Sequence, residues 1–428
     1  MCNMKSFGDL IYHFGILVCL HKKFIYTSYR YQYDLLMTEK KTIFAFRIPI
    51  LMAALIIPVL SIGINQSYSE ETFVYVSNGE DGDIAVMKLY PETGDMKIVE
   101  KVPAGPNVKH MALSPDHPFL YASIRSEPFS VVTYSINPDT GSLNELSKEL
   151  LPYNMAYISV DQTGRFLFSV SYSDAKIAVN PIGLDGIVKS EPIQVISTGP
   201  NPHSILADRT NQFVYVPHLG NAQIKQFLLN ASTGGLTPND PEAVFTKDGS
   251  GPRHFDLSPD NRFVYVSNEM DGMVYSYKID NKTGILTEMQ RISAIPLELG
   301  LEPSTPAGGD GDGESEMEDE EFSTFGVADI HITPNGKWLY VSVRATNTIT
   351  AFGVDVHSGN LTYIGSYDTE KIPRGINIDP RGNFVIAAGQ ESGFVSVHAI
   401  NQETGALKLL NRYETGKDPN WIETVEFK

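Results

Sequence analysis

The chain predicts an all-β fold, a seven-bladed β-propeller of four-stranded blades, and three observations point to it. A Phe-Val-Tyr-Val-Ser theme recurs seven times, the order of strands and turns around each copy is constant, and no long stretch of helical periodicity follows residue 70. The copies begin at Phe73, Phe119, Phe166, Phe213, Phe263, Trp338 and Phe384, with steps of 46, 47, 47, 50, 75 and 46 residues. A strand-rich unit of this length cannot bury both faces of its own sheet, so neighbouring units must stack, and stacking around an axis yields a propeller.

Within a unit, an alternating apolar strand runs into a Ser-Pro-Asp or Asp-Pro-Arg-Gly turn and then into the anchor strand. A third strand follows (VVTYSI, MVYSYKI, ITAFGV or VSVHAI), then a Thr-Gly or Ser-Gly turn such as PDTGSL at 138–143, NKTGIL at 281–286 or QETGAL at 402–407, and a last strand. Period-two alternation flanked by turn residues is strand chemistry. The C-terminal WIETVEF at 421–427 reads as a lone strand that joins the first blade and closes the ring. A TIM barrel or an α/β hydrolase would need helices between the strands.

The propeller domain is expected over 71–428. The long step of 75 is one blade plus an insertion at about 297–326, in which eight residues between Asp310 and Glu321 are acidic and none is basic. Such a segment lacks the apolar area to order itself and is expected to form a mobile loop. Its Asp and Glu residues miss the spacing of a calcium-binding EF-hand loop, and no metal is expected. The same segment supplies much of the formal net charge of −18, and with no basic stripe present nucleic acid is not an expected partner.

Ahead of the propeller, Lys40 and Lys41 precede an apolar run from Ile48 to Ile64 and then a polar stretch. Residues 37–70 thus have the layout of a secretory signal or a membrane anchor, with Met37 as a natural start and residues 1–36 as an extension of mis-assigned sequence. The expectation is export, to the periplasm or outside the cell, or anchoring through this segment; a cytoplasmic location follows if the segment is not a working signal. Both cysteines, Cys2 and Cys19, lie in the extension, which leaves the mature domain no disulfide and no thiolate. A monomer is expected by analogy with other closed propellers.

Putting the repeats in register exposes candidate chemistry. Ten residues before the anchor aromatic stand Lys109, Ala156, His203, Arg253, Ala328 and Arg374; six after it stand Gly79, Arg125, Tyr172, Leu219, Glu269, Arg344 and Gln390. A turn joins the innermost strand to the anchor strand, so the residue entering the first and the residue leaving the second share one end of the blade. The two sets are therefore expected to ring the mouth of the central channel. There Arg125, Arg253, Arg344 and Arg374 suit an anionic ligand, with Glu269 and His203 as an acid/base pair. His254 faces either the channel or a blade interface, as does His110. Asp329 and His331 lie within an inner strand, and His331 is assigned a structural role. The competing reading of any single Arg, His or Asp here is an interblade hydrogen bond, which four arginines at two registered offsets argue against.

Three stretches, GPRHFDLSPDNRFVYVSNEM (251–270), ADIHITPNGKWLYVSVRATNTITAF (328–352) and PRGINIDPRGNFVIAAGQESG (373–393), strongly resemble the bacterial propeller-type 6-phosphogluconolactonases. That family is similar in fold and site to the fungal carboxymuconate lactonizing enzymes. The resemblance implies a lactonase without cofactor acting on a small anionic lactone, most directly 6-phosphoglucono-1,5-lactone. It places the family's site on His203 (N-P-H-S), Arg253 (G-P-R-H), Glu269 (S-N-E) and Arg344, with Arg374 and Gln390 also matching. Which of His203 and Glu269 is acid and which base stays open. The alternatives are a carboxymuconate-type cycloisomerase, which the same residues would support, and an exported binding propeller without turnover, since the YVSN strings are similar to the YVTN-type surface-layer propellers.

Overall fold

The computed structural model describes residues 70–296, 299–301, 303 and 326–427. The chain separates into two units, Met1–Gln66 and Ser67–Lys428. The expected extension and apolar segment lie outside the described residues, as does nearly all of the acidic insertion. Among the described residues no helix is long and apolar enough to cross a membrane.

The described part of the second unit is a ring of seven four-stranded antiparallel sheets. Blades 2 to 7 each run from inner to outer strand in chain order, starting at Val108, Tyr157, Leu206, Pro252, Val327 and Pro373. Blade 1 takes its second, third and outer strands from the start of the domain, at Glu71–Asn78, Asp83–Tyr90 and Asp95–Pro103. Its inner strand is the C-terminal Pro419–Phe427, paired antiparallel with Glu71–Asn78. The lone C-terminal strand thus closes the ring as the sequence predicts.

The anchor aromatics seal the junctions between blades. Each packs on the glycine of the next blade's outer turn: Phe73 on Gly141, Phe119 on Gly186, Phe166 on Gly234, Phe213 on Gly284, Phe263 on Gly359, Trp338 on Gly405 and, across the closure, Phe384 on Gly94. These glycines have positive φ, and a Cβ on any of them would meet the neighbouring ring at 2.2 to 2.7 Å. The turn and the close approach both require glycine. The Tyr two residues further along four of the anchor strands adds a hydrogen bond at the same junction: Tyr75, Tyr121, Tyr215 and Tyr340 donate to the carbonyls of Gly141, Gly186, Gly284 and Gly405 at 2.8 to 3.0 Å.

One irregularity decides where the site residues point. At the entry to several inner strands the ladder to the anchor strand slips: Lys109 and His110 oppose only Ser123, Arg253 and His254 only Ser267, and Ala328 and Asp329 only Ser342. Arg374 and Asn420 are extra residues of the same kind. A β-bulge frees backbone amides and re-aims side chains. The serine of the Phe-Val-Tyr-Val-Ser theme takes up such amides: Ser267 Oγ accepts from His254 N at 3.3 Å, Ser342 Oγ from Asp329 N at 2.9 Å and Ser77 Oγ from Trp421 N at 3.1 Å.

Candidate active site

The bulged residues come together. A narrow cleft is lined by Lys109, His110, Arg125, Ala156, His203, Arg253, His254, Arg374, Asn420 and Trp421. Five of the residues nominated from sequence, Arg125, His203, Arg253, His254 and Arg374, share this cleft. Glu269 and Arg344 join it through ion pairs: Arg253 Nε lies 2.7 Å from Glu269 Oε2, and Arg344 Nη2 donates to Glu269 Oε1 at 2.6 Å. The eighth residue, Gln390, lines an adjoining groove with Gly79, Glu80, Asn107, Glu391 and Asp418 instead. Register fixes the end of a sheet at which a residue sits and leaves its direction open.

Glu269 is the electrostatic pivot. Burial works against its charge, but the guanidinium groups of Arg344 and Arg253 hold its carboxyl at about 2, so it is ionised at any physiological pH. Arg253 is 1% exposed, and burial lowers it to about 9 despite its carboxylate partner. It remains a cation at neutral pH.

His203 follows the left-handed Asn201, and its own amide donates to Pro217 O at 3.1 Å. The inner strand of its blade is reduced to Leu206–Ala207. Its ring meets Tyr172 edge-on with centroids 5.7 Å apart and lies 5.0 Å from the His254 ring. Burial, reinforced by the Arg253 charge, pushes the imidazole well below its ordinary range, so His203 is neutral and can accept a proton. Its Nδ1 is buried without a protein hydrogen-bond partner. Ser204 Oγ donates to Arg253 O at 2.7 Å, which ties this irregular segment to the blade bearing Arg253.

His254 faces both ways. Its ring lies under the Arg253 guanidinium, whose Nη1 is 3.2 and 3.3 Å from the two ring nitrogens, and its Nδ1 is 2.9 Å from Asp329 Oδ1. Burial would neutralise Asp329, but His331 and His254 hold it well below the usual carboxylate range. An ionised carboxylate only accepts, so His254 Nδ1 carries the proton. Burial and Arg253 bring His254 down to about 4. His331 Nε2 is 3.2 Å from the other Asp329 oxygen, and against the effect of burial that carboxylate raises His331 to about 9.

Lys109, Asn420, Trp421 and His110 also belong to the lining; the sequence placed Lys109 in the registered ring and left the direction of His110 open, and it singled out neither Asn420 nor Trp421. Lys109 was already in register with Arg253. Asn420 is its counterpart in blade 1, but that blade's anchor is at the other end of the chain, so counting back from Phe73 misses it. His110, nine before its anchor, and Trp421, its counterpart in blade 1, have ring centroids 3.7 Å apart. Among the described residues no group of three or more His, Cys, Asp and Glu side chains is arranged to hold a metal ion.

The description "Lactonase, 7-bladed beta-propeller" belongs to the family model that matches residues 68–424. A 6-phosphogluconolactonase of Serratia proteamaculans is 38% identical over 305 residues, which covers 71% of this chain and 84% of that protein. The 6-phosphogluconolactonase of Pectobacterium carotovorum is 37% identical over the same shares. Among solved structures, the periplasmic gluconolactonase PpgL of Pseudomonas aeruginosa superposes with a TM-score of 0.70 at 25% identity, covering 83% of this chain and 99% of that one.

Proposed function

This chain belongs to the seven-bladed β-propeller lactonase family, and from that premise we propose that it opens 6-phosphoglucono-1,5-lactone to 6-phosphogluconate in the cleft at the channel mouth. Hydrolysis of a lactone ring is the activity the family carries. The finer reading rests on one observation: a neutral, buried imidazole, His203, shares a cleft with Arg253, which with Arg344 brackets the ionised Glu269.

The chemistry follows from those charges. His203 takes a proton from water as the oxygen attacks the lactone carbonyl carbon. Negative charge develops on the carbonyl oxygen, where the fixed guanidinium groups of Arg253 and Arg344 stabilise it without reorganising. The intermediate collapses with cleavage of the bond to the ring oxygen, which receives the proton from the His203 imidazolium. The product acid then loses a proton to solvent. Glu269, each of whose carboxylate oxygens is held by a guanidinium group, is not free to take that proton. Its part is to fix the two guanidinium groups and temper their repulsion. Arg374 and Arg125 add positive potential around the ligand, and Gln390, in the adjoining groove, meets only a ligand that extends beyond the cleft.

The apolar run from Ile48 to Ile64 supports export, as does the likeness to a periplasmic gluconolactonase. Fractionation of the native producing cells tests the location: enrichment in the periplasm or medium supports it, and recovery in the cytoplasm contradicts it. The activity is tested by comparing ring opening of freshly made 6-phosphogluconolactone, gluconolactone and a carboxymuconolactone; turnover of the last alone would overturn the substrate assignment.

A further inference from the structure

We propose that Lys109, held by Asp418 and flanked by Arg125, is the specificity-determining cation that receives the phosphate of the substrate, on the opposite side of the cleft from Arg253 and His203. The inference rests on the reading of the cleft as a lactonase site and adds the residues that select a phosphorylated ligand.

Two groups of cations face the cleft from different blades. Arg253 and, through Glu269, Arg344 come from blades 5 and 6 beside His203. Lys109 and Arg125 come from the entry of the inner strand and the exit of the anchor strand of blade 2. In a sequential ring of seven, blades 2 and 5 lie on opposite sides of the axis. Arg374 of blade 7 lines the cleft between the two groups.

The blade 2 cations are built into the wall. Lys109 Nζ is 2.6 Å from Asp418 Oδ2, with side-chain exposures of 4% and 9%. A Cβ on Gly79 would come 2.1 Å from Asp418 Oδ2 and 3.2 Å from Lys109 Nζ, so the pair is seated where only glycine leaves room. Arg125, 4% exposed, donates from Nε to Asn154 Oδ1 at 2.7 Å. A mobile surface lysine contributes little to recognition, whereas a desolvated ammonium locked in place is a strong anion site.

Charge balance selects the anion. The cleft gathers the cations Lys109, Arg125, Arg253, Arg344 and Arg374 against the carboxylates Glu269 and Asp418, an excess of positive charge, with Asp329 paired to the cationic His331 and with His203, His254 and His110 kept neutral. A sugar lactone has no free carboxylate, because its one acid group is tied up in the ring. An unsubstituted sugar lactone therefore brings no charge to meet that excess. A phosphate ester brings close to two negative charges at neutral pH. Ring opening adds a further negative charge, which develops on the far side, at Arg253 and Arg344.

The test compares kcat/KM for 6-phosphogluconolactone and gluconolactone in the wild type, in Arg125→Met, and in the double variant Lys109→Met/Asp418→Asn, which removes the ammonium without stranding a buried carboxylate. Calorimetric binding of 6-phosphogluconate and gluconate is measured alongside. The preference for the phosphorylated lactone is expected to fall roughly tenfold to a hundredfold in the double variant, the range for losing a hydrogen bond to a charged group, and binding of the phosphorylated product to weaken similarly. Equal losses on both lactones, or an unchanged preference in a variant that melts like the wild type, would overturn the assignment. If the wild type opens neither lactone but binds the phosphorylated product through Lys109, the hydrolytic reading fails while the phosphate site stands.

Discussion

At the scale of single residues, the site is governed by charges that hold one another in place. Removing the Glu269 carboxylate with Glu269→Gln leaves Arg253 and Arg344 to repel each other, and Arg253 has burial already working against its charge. We expect kcat to fall by about 10²-fold or more, because the loss concerns the oxyanion donors, with a smaller rise in KM. Steady-state kinetics on the phosphorylated lactone measure both. The pH profile carries a second signature. His203 must be neutral to accept the proton, and burial pushes it well below the ordinary imidazole range. Enzymatic kcat/KM should therefore hold as pH falls to about 6.5 and decline only below it, after subtraction of the uncatalysed ring opening, while the Arg253 guanidinium stays charged throughout. Glu269, at about 2, and His254, at about 4, set no limb near neutrality. A limb near pH 7 would mean that a different group titrates in the free enzyme. The residue types were legible in the sequence because the repeats supply an internal register. The ion pairs of Glu269 were not, since its partners come from the inner strand of its own blade and the anchor strand of the next.

At the scale of elements, two devices repeat around the ring. The aromatic-on-glycine junction makes Gly141→Ala a specific test: its φ is +71° and its Cβ would come 2.3 Å from the Phe73 ring. Gly249 is the comparison, with φ of +74° and no atom within 4 Å of a built Cβ. Alanine at a left-handed position costs about 1–2 kcal/mol, so denaturant unfolding should show that loss for Gly249→Ala and a larger one for Gly141→Ala. The second device is the bulge backed by serine. The theme itself was evident in the sequence, but its last residue looked like one more strand position. Its role depends on two residues of a different strand opposing it, which no single-strand pattern reveals. The same bulges explain how Arg253 and His254, adjacent in sequence, both reach the cleft although strand alternation would send them to opposite faces.

At the scale of the molecule, ring closure and site assembly are one event. The last strand pairs with Glu71–Asn78 and contributes Asn420 and Trp421 to the cleft, and Asp418, just before it, anchors Lys109. Truncation after Thr415 should therefore leave blade 1 without its inner strand, lower the melting temperature and abolish ring opening together. Retention of activity in such a truncated protein would contradict the closure described. Closure was legible because one strand was left over at the C-terminus. The place of Gln390 was not, and the step from a ring of registered residues to an actual cleft needed the bulges.

The central claim is that lactone opening depends on His203 as proton acceptor in this cleft. The most direct measurement is the initial rate of 6-phosphogluconolactone opening by the propeller domain beside its His203→Asn variant, with melting curves on both. A loss of about 10²–10⁴-fold in kcat with an unchanged melting temperature is the predicted result. A variant that opens the lactone as fast as the wild type would contradict the account.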